Sequence, residues 1–179
     1  YSAGTDYNDF FNSTVANYAD SNIKIYTEID FKKVSETEDS LRAYGNALGK
    51  IVAEKEKQFP GNELVILDEA TDGNKPEALK GLDSPINRYR GIRDEMLLMS
   101  VPEGLIPTHL KMVNLLGIMV TGIENMKNVL SDPVKTMAGL TLYPNALGYF
   151  INEIAALHDY FINQEVIFGK NEDGYQFTR

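Results

Sequence analysis

The chain has no cysteine, no tryptophan and only two histidines among its 179 residues. Without Cys there is no disulfide scaffold, no thiolate zinc site and no thiol nucleophile. Basic residues are the scarcer charge, 17 Lys and Arg against 26 Asp and Glu, for a formal net charge of -9. A pI near 4.7 argues against binding to nucleic acid or to an anionic membrane surface. Long apolar runs are also missing. The longest uncharged stretch, residues 136–152, contains Thr141, Pro144, Asn145 and two glycines. It falls short of the roughly 18 apolar residues of a membrane span. No basic start followed by an apolar stretch marks a signal peptide. Gly-x-Gly-x-x-Gly, P-loop, nucleophile-elbow, Glu-x-x-His and His-Glu-x-x-His patterns do not occur. We therefore expect no enzyme and no cofactor.

Helical periodicity is what the chain does have. Thr5 caps an expected first helix to Asp20, with Phe10, Phe11, Val15 and Tyr18 on one side. Residues 23–31 are β-branched and alternate imperfectly. With no second convincing strand to pair with, they read as an extended connector with apolar anchors. Ser35 and Glu38 fit a capping box opening a helix to about Phe59, whose apolar face is Leu41, Tyr44, Ala47, Leu48, Ile51 and Val52. Pro60-Gly61 stops it, and Asn62 caps a short helix to about Asp68.

Ser84-Pro85 opens a helix to Ser100 that buries Ile86, Tyr89, Ile92, Met96 and Met99, and Val101-Pro102 ends it. Pro107 opens the next helix, to about Leu130. Asp132-Pro133 caps the last, which extends to Phe168 with Pro144 inside it. An interior proline removes one backbone hydrogen bond and predicts a kink. The expected fold is all-α: an antiparallel bundle of four main helices plus a short N-terminal one, with a long, kinked final helix. Residues 1–34 form the N-terminal helix and connector, 35–168 the bundle, and 169–179 a loose polar tail. The first hundred residues carry 18 acidic and 12 basic groups, the rest only 8 and 5. The closing hairpin is thus the covered centre, and the earlier helices are the wet outside.

Two segments echo one another at an interval of 99 residues. Tyr44, Asn46, Ala47, Leu48, Gly49 and Glu54 recur as Tyr143, Asn145, Ala146, Leu147, Gly148 and Glu153. One reading is a duplicated unit whose Tyr44/Asn46 and Tyr143/Asn145 pairs form a binding site. The other is a shared packing solution in which small residues let helices approach and Asn satisfies a neighbouring backbone group. Under either reading Gly49 and Gly148 are expected at close helix crossings. An antiparallel turn at Asp132-Pro133 places opposite one another residues whose numbers sum to about 264. That brings His109 within a turn of His158, the only metal candidates. Their nearest carboxylates, Glu153 and Asp159, have the wrong helical spacing for a shared site, so no metal is expected. The acidic loops at residues 68–74 and 171–174 lack calcium-ligand spacing and read as solvated. Arg88, Arg90 and Arg93 read as a salt-bridged helix face. Ten Tyr suit both bundle rims and protein interfaces.

The run Ser40 to Leu48, then Val101-Pro102, Thr108-His109-Leu110, Asn114, Asp132-Pro133 and Tyr143, resembles membrane-anchored extracytoplasmic helical proteins of small-genome, uncultivated bacteria. The resemblance covers most of the chain after about residue 35. It implies a cell-envelope setting, periplasmic or at the cell surface, and carries over no catalytic residue. The chain opens on Tyr1 rather than Met, so we expect processing or truncation with an anchor upstream. The function expected is a non-enzymatic interaction or scaffold module with a protein partner in the envelope. The alternative is a helical sensor with a ligand pocket near Pro144.

Overall fold

The computed structural model describes residues 6–17, 23–56 and 63–178. Thr5, Tyr18, Asp20, Phe59, Pro60, Gly61 and Asn62, expected to bound the first two helices and to cap the third, lie outside the described residues. Most of the rest is helical. Among the described residues six α-helices follow one another: α1 (Tyr7–Asn17), α2 (Glu38–Glu56), α3 (Glu63–Thr71), α4 (Asp83–Leu97), α5 (Ile106–Met126) and α6 (Pro133–Asn163).

The centre is α5. Every residue from Met112 to Ile123 is buried, as a helix apolar on all sides must be. The segment Glu103–Met126 is long and apolar enough to cross a membrane, but 78% of its apolar window lies inside the fold. Pro107 lies in its first turn, where a missing N–H costs nothing. Helix α6 packs along it with falling register: Lys111 bonds Glu153 at 3.2 Å, and Gly122 lies beside Tyr143. The two helices are therefore antiparallel, with the expected sum of about 264. Asp132 caps α6 by accepting the Lys135 N–H at 3.0 Å, and Pro133 takes the first position.

A close crossing of α5 and α6 falls at Gly122 and Gly139. A Cβ on Gly139 would strike the Gly122 carbonyl oxygen and stand 2.8 Å from the Met126 nitrogen. Gly49 is buried against the Asp173–Gly174 backbone, the start of a short 3-10 helix, Asp173–Phe177. Gly148 is buried on α6, and Pro144 is an exposed residue inside the same helix.

Three further expectations are corrected. A strand pair does exist: β1 (Lys32–Val34) pairs in parallel with β2 (Ser100–Pro102), Lys33 opposite Val101. Three residues with an exposed-exposed-intermediate pattern give no local strand signal, and the partner lies in what read as a helix end. The connector before β1 is anchored as expected by buried Tyr26 and Phe31. Buried Asn114 holds it, accepting the Tyr26 N–H at 2.8 Å and donating to the Tyr26 carbonyl at 3.1 Å. The capping box sits at Thr37 and Ser40, which exchange backbone N–H bonds to side-chain oxygens at 3.1 and 2.9 Å. Glu36, just before it, accepts instead from the Gly104 N–H and the Tyr160 hydroxyl, both at 2.7 Å.

Helix α6 ends at Asn163, not Phe168. The Glu165 N–H bonds Ile162 O and the Val166 N–H bonds Phe161 O, a Schellman closure with Glu165 at φ 56. The chain beyond turns back as a strap, residues 164–178, and is not loose. Phe168 and Phe177 are each 2% exposed, and the strap packs across α2. Gly45 receives the Phe168 ring and Gly49 the Asp173 backbone. Glu172 bonds the Arg42 guanidinium at 3.0 Å and the Asn46 amide at 3.1 Å.

Two single exchanges test this account in urea denaturation. Gly139→Ala adds a methyl where backbone atoms already stand and lowers stability by about 1–3 kcal/mol, although Ala is the better helix former. Glu165→Gly relieves a left-handed backbone and raises stability by about 0.5–1 kcal/mol. A neutral Gly139→Ala or a destabilising Glu165→Gly contradicts the geometry.

Candidate functional site

The residues singled out by the echo are buried or bonded, but in two separate places. Tyr44, 1% exposed, sets its hydroxyl 3.1 Å from His109 Nδ1. The Phe31 ring meets the imidazole edge-on at 4.8 Å. Burial pushes the Tyr44 phenol well above its usual range. It pushes the His109 imidazole down to about 4, the Met96 carbonyl acting the other way. His109 Nε2 lacks a partner of hydrogen-bond geometry among the described residues. Asn46 belongs to the strap contact instead: it donates to Glu172 and accepts the Gly174 N–H at 2.9 Å.

Tyr143 lies among different partners. Its hydroxyl donates to Glu63 Oε1 at 2.9 Å and stands 3.2 Å from the Tyr89 hydroxyl. Asn145 is exposed and donates to the Thr141 carbonyl of its own helix at 2.9 Å. The two Tyr–Asn pairs therefore make no common site. An identical local pattern serves the strap on α2 and a buried polar chain on α6. His158 bonds the Phe177 carbonyl at 2.8 Å, so the two histidines hold different elements. Among the described residues no three His, Asp or Glu side chains are grouped to hold a metal ion. The acidic turn at residues 171–174 is the clasp of the strap, not a solvated loop.

What the fold does build is a cleft of about 350 Å³ where α2, α4, α5, α6 and the strap converge. Its wall is largely hydrocarbon and aromatic: Val52, Ile92, Leu116, Leu147, Phe150, Ile151, Ile154 and Phe177. The polar side chains among the lining residues described are Arg88, Tyr89 and Gln176. Sequence reasoning reached Leu147 and the neighbourhood of Pro144 but placed no arginine there. Arg90 pairs with Glu124 and Arg93 with Asp94, both at 2.7 Å, as a salt-bridged face predicts. Arg88 instead lies over the Tyr89 ring at 4.5 Å and donates to its hydroxyl at 2.7 Å.

Proton counting fixes the direction of the polar chain that starts there. Tyr143 gives its single hydroxyl proton to the Glu63 carboxylate. Tyr89 must then be the donor to Tyr143 and the acceptor from Arg88. The order is Arg88, Tyr89, Tyr143, Glu63, ending on a carboxylate only 6% exposed. Burial first, then Tyr89 and Glu63, push the Tyr143 phenol far above its usual range. No sequence signal marks Glu63, the single acidic group opening the short apolar run Leu64 to Leu67.

No protein family, curated protein or solved structure matches the chain.

The buried imidazole makes stability acid-sensitive. His109 stays neutral in the fold down to about pH 4, whereas an unfolded His takes a proton near 6.5. Between those values the unfolded state binds more protons, so stability falls as pH falls, by up to about 3 kcal/mol. Urea midpoints at pH 4 to 7 should show this slope. The double variant Tyr44→Phe with His109→Phe should lose the His part of it. An unchanged slope in the variant refutes the assignment.

Proposed function

We propose that this chain is a non-enzymatic helical binding module whose recognition site is the cleft among α2, α4, α5, α6 and the strap. The observation that carries the reading is the cleft itself. Its 350 Å³ falls in the range of small-molecule sites, about 300–1,000 Å³. Apolar walls with a few convergent polar groups are the usual make-up of such sites. In this reading the four helices form an antiparallel bundle and Pro144 bends α6 just before Leu147, opening space beside the cleft. The setting we propose is extracytoplasmic, as the sequence resemblance implies, with a sensor or carrier role inside the cell envelope.

One observation favours a second use by protein contact. Val134, Met137, Ile151 and Ile162, from 80% to 42% exposed, share one face of α6. Such a face suits a protein partner in the envelope, the scaffold role expected from the sequence.

A titration with decanol tests the primary reading by calorimetry. One molecule should bind per chain. Leu147→Trp and Ile154→Trp each fill the cleft and should weaken binding at least about tenfold without lowering the thermal midpoint. Binding that ignores both bulky exchanges overturns the assignment of the cleft.

A further inference from the structure

Two large aliphatic side chains stand almost wholly in water. Ile29 is 91% exposed and Leu98 86%, the two most exposed of the large hydrophobics among the described residues. They are distant in the chain, but the strand pair brings their segments to one place. β1 and β2 run parallel, with Lys32 opposite Ser100. The chain therefore enters both strands at the same end, and Ile29 and Leu98 each lie just before that entry. Ile29 sits in a turn closed twice: the Asp30 N–H bonds the Thr27 carbonyl at 3.1 Å, and the Asp30 carboxylate accepts the Thr27 N–H at 2.8 Å. Leu98 is the C-cap of α4, its N–H bonded to the Glu95 carbonyl at 3.1 Å. Close by on each segment a side chain turns inward, Phe31 on one and Met99 on the other, and both are buried. The two tips are thus held outward by backbone that is anchored beside them.

Charge sets this end of the molecule apart as well. Along the two segments Lys24, Lys32, Lys33 and Arg93 offset Glu28, Asp30, Asp94 and Glu95, in a protein whose formal net charge is -9. Lys24 and Arg93 lie against the ring of one residue, Tyr26, at 4.7 and 5.7 Å. We propose that this end of the strand pair is a membrane-contact tip, which inserts Ile29 and Leu98 into the interface of a zwitterionic phospholipid bilayer. Size decides against a protein partner. Two aliphatic side chains offer roughly 200 Å² of apolar surface, whereas a stable protein interface takes about 800 Å² from each side. A bilayer needs no matching pocket and takes up single apolar groups at the headgroup boundary. The neutral end suits a zwitterionic surface, and the acidic remainder is repelled from an anionic one.

Co-sedimentation of the full chain with vesicles of phosphatidylcholine, at roughly millimolar lipid, tests the proposal. The protein should bind them, and bind more weakly to vesicles of equal parts phosphatidylcholine and phosphatidylglycerol at low salt. Ile29→Ser and Leu98→Ser should each weaken binding about tenfold, and the two together about a hundredfold. Both positions are exposed, so the thermal midpoint should hold. Val134→Ser with Met137→Ser removes comparably exposed apolar groups from α6 and should leave vesicle binding unchanged. The chain has no tryptophan, so Leu98→Trp supplies a single reporter whose emission should shift to the blue on phosphatidylcholine. Failure to bind phosphatidylcholine, stronger binding to the anionic vesicles, an equal loss in the α6 double variant or an unshifted tryptophan each overturns the proposal. So does a dimer that depends on Ile29 and Leu98 in place of vesicle binding.

Discussion

Because α5 is buried around its circumference from Met112 to Ile123, every other element must cover some part of it or of its immediate neighbours. That constraint explains the arrangement better than any single contact. Helix α6 takes one side, and the mutual approach of Gly122 and Gly139 fixes how closely. Helix α4 takes another with Ile86, Tyr89, Ile92 and Met96. The extended connector covers a third, where a helix would not be needed. It supplies Tyr26 and Phe31 as apolar weight and its own backbone to Asn114. The cleft lies where α2, α4, α5, α6 and the strap converge.

The polar groups inside this core are few and nearly all are answered. Asn114 pairs both ends of its amide with one backbone residue, Tyr44 answers His109, and the tyrosine chain runs from Arg88 to Glu63. Each arrangement joins segments distant in the chain, so each also specifies which segments belong together. Among the described residues His109 Nε2 lacks a partner of hydrogen-bond geometry. The same burial that denies it a partner keeps the ring neutral.

How much of this could be read beforehand varies with the range of the interaction. The cap at Asp132-Pro133 is a local device: an acceptor side chain and a donor-free residue in succession. It was legible, and with it the register of the α5–α6 hairpin. The other end of α6 was not, because its left-handed position holds Glu165 instead of glycine. The two strands were missed for another reason. Their three-residue pairing joins positions 32–34 to 100–102 and leaves no periodicity in either segment. The strap looked like a tail since its polar residues are the visible ones. Its anchors, Phe168 and Phe177, are single aromatics that only Gly45 and the α2 surface make meaningful.

The echo between residues 44–54 and 143–153 separates the two levels most sharply. Sequence determined that both segments are helical, that Tyr44 lies on an apolar helix face, and that most acidic residues fall in the first hundred positions. It also determined which elements would end at Asp132. Only the tertiary structure decided what each inward tyrosine meets: a neutral imidazole for Tyr44, a second phenol and a carboxylate for Tyr143. Periodicity records which face of an element avoids water. It holds no record of which distant face that surface meets, and the cleft, with its cation and its relay, exists only in that meeting.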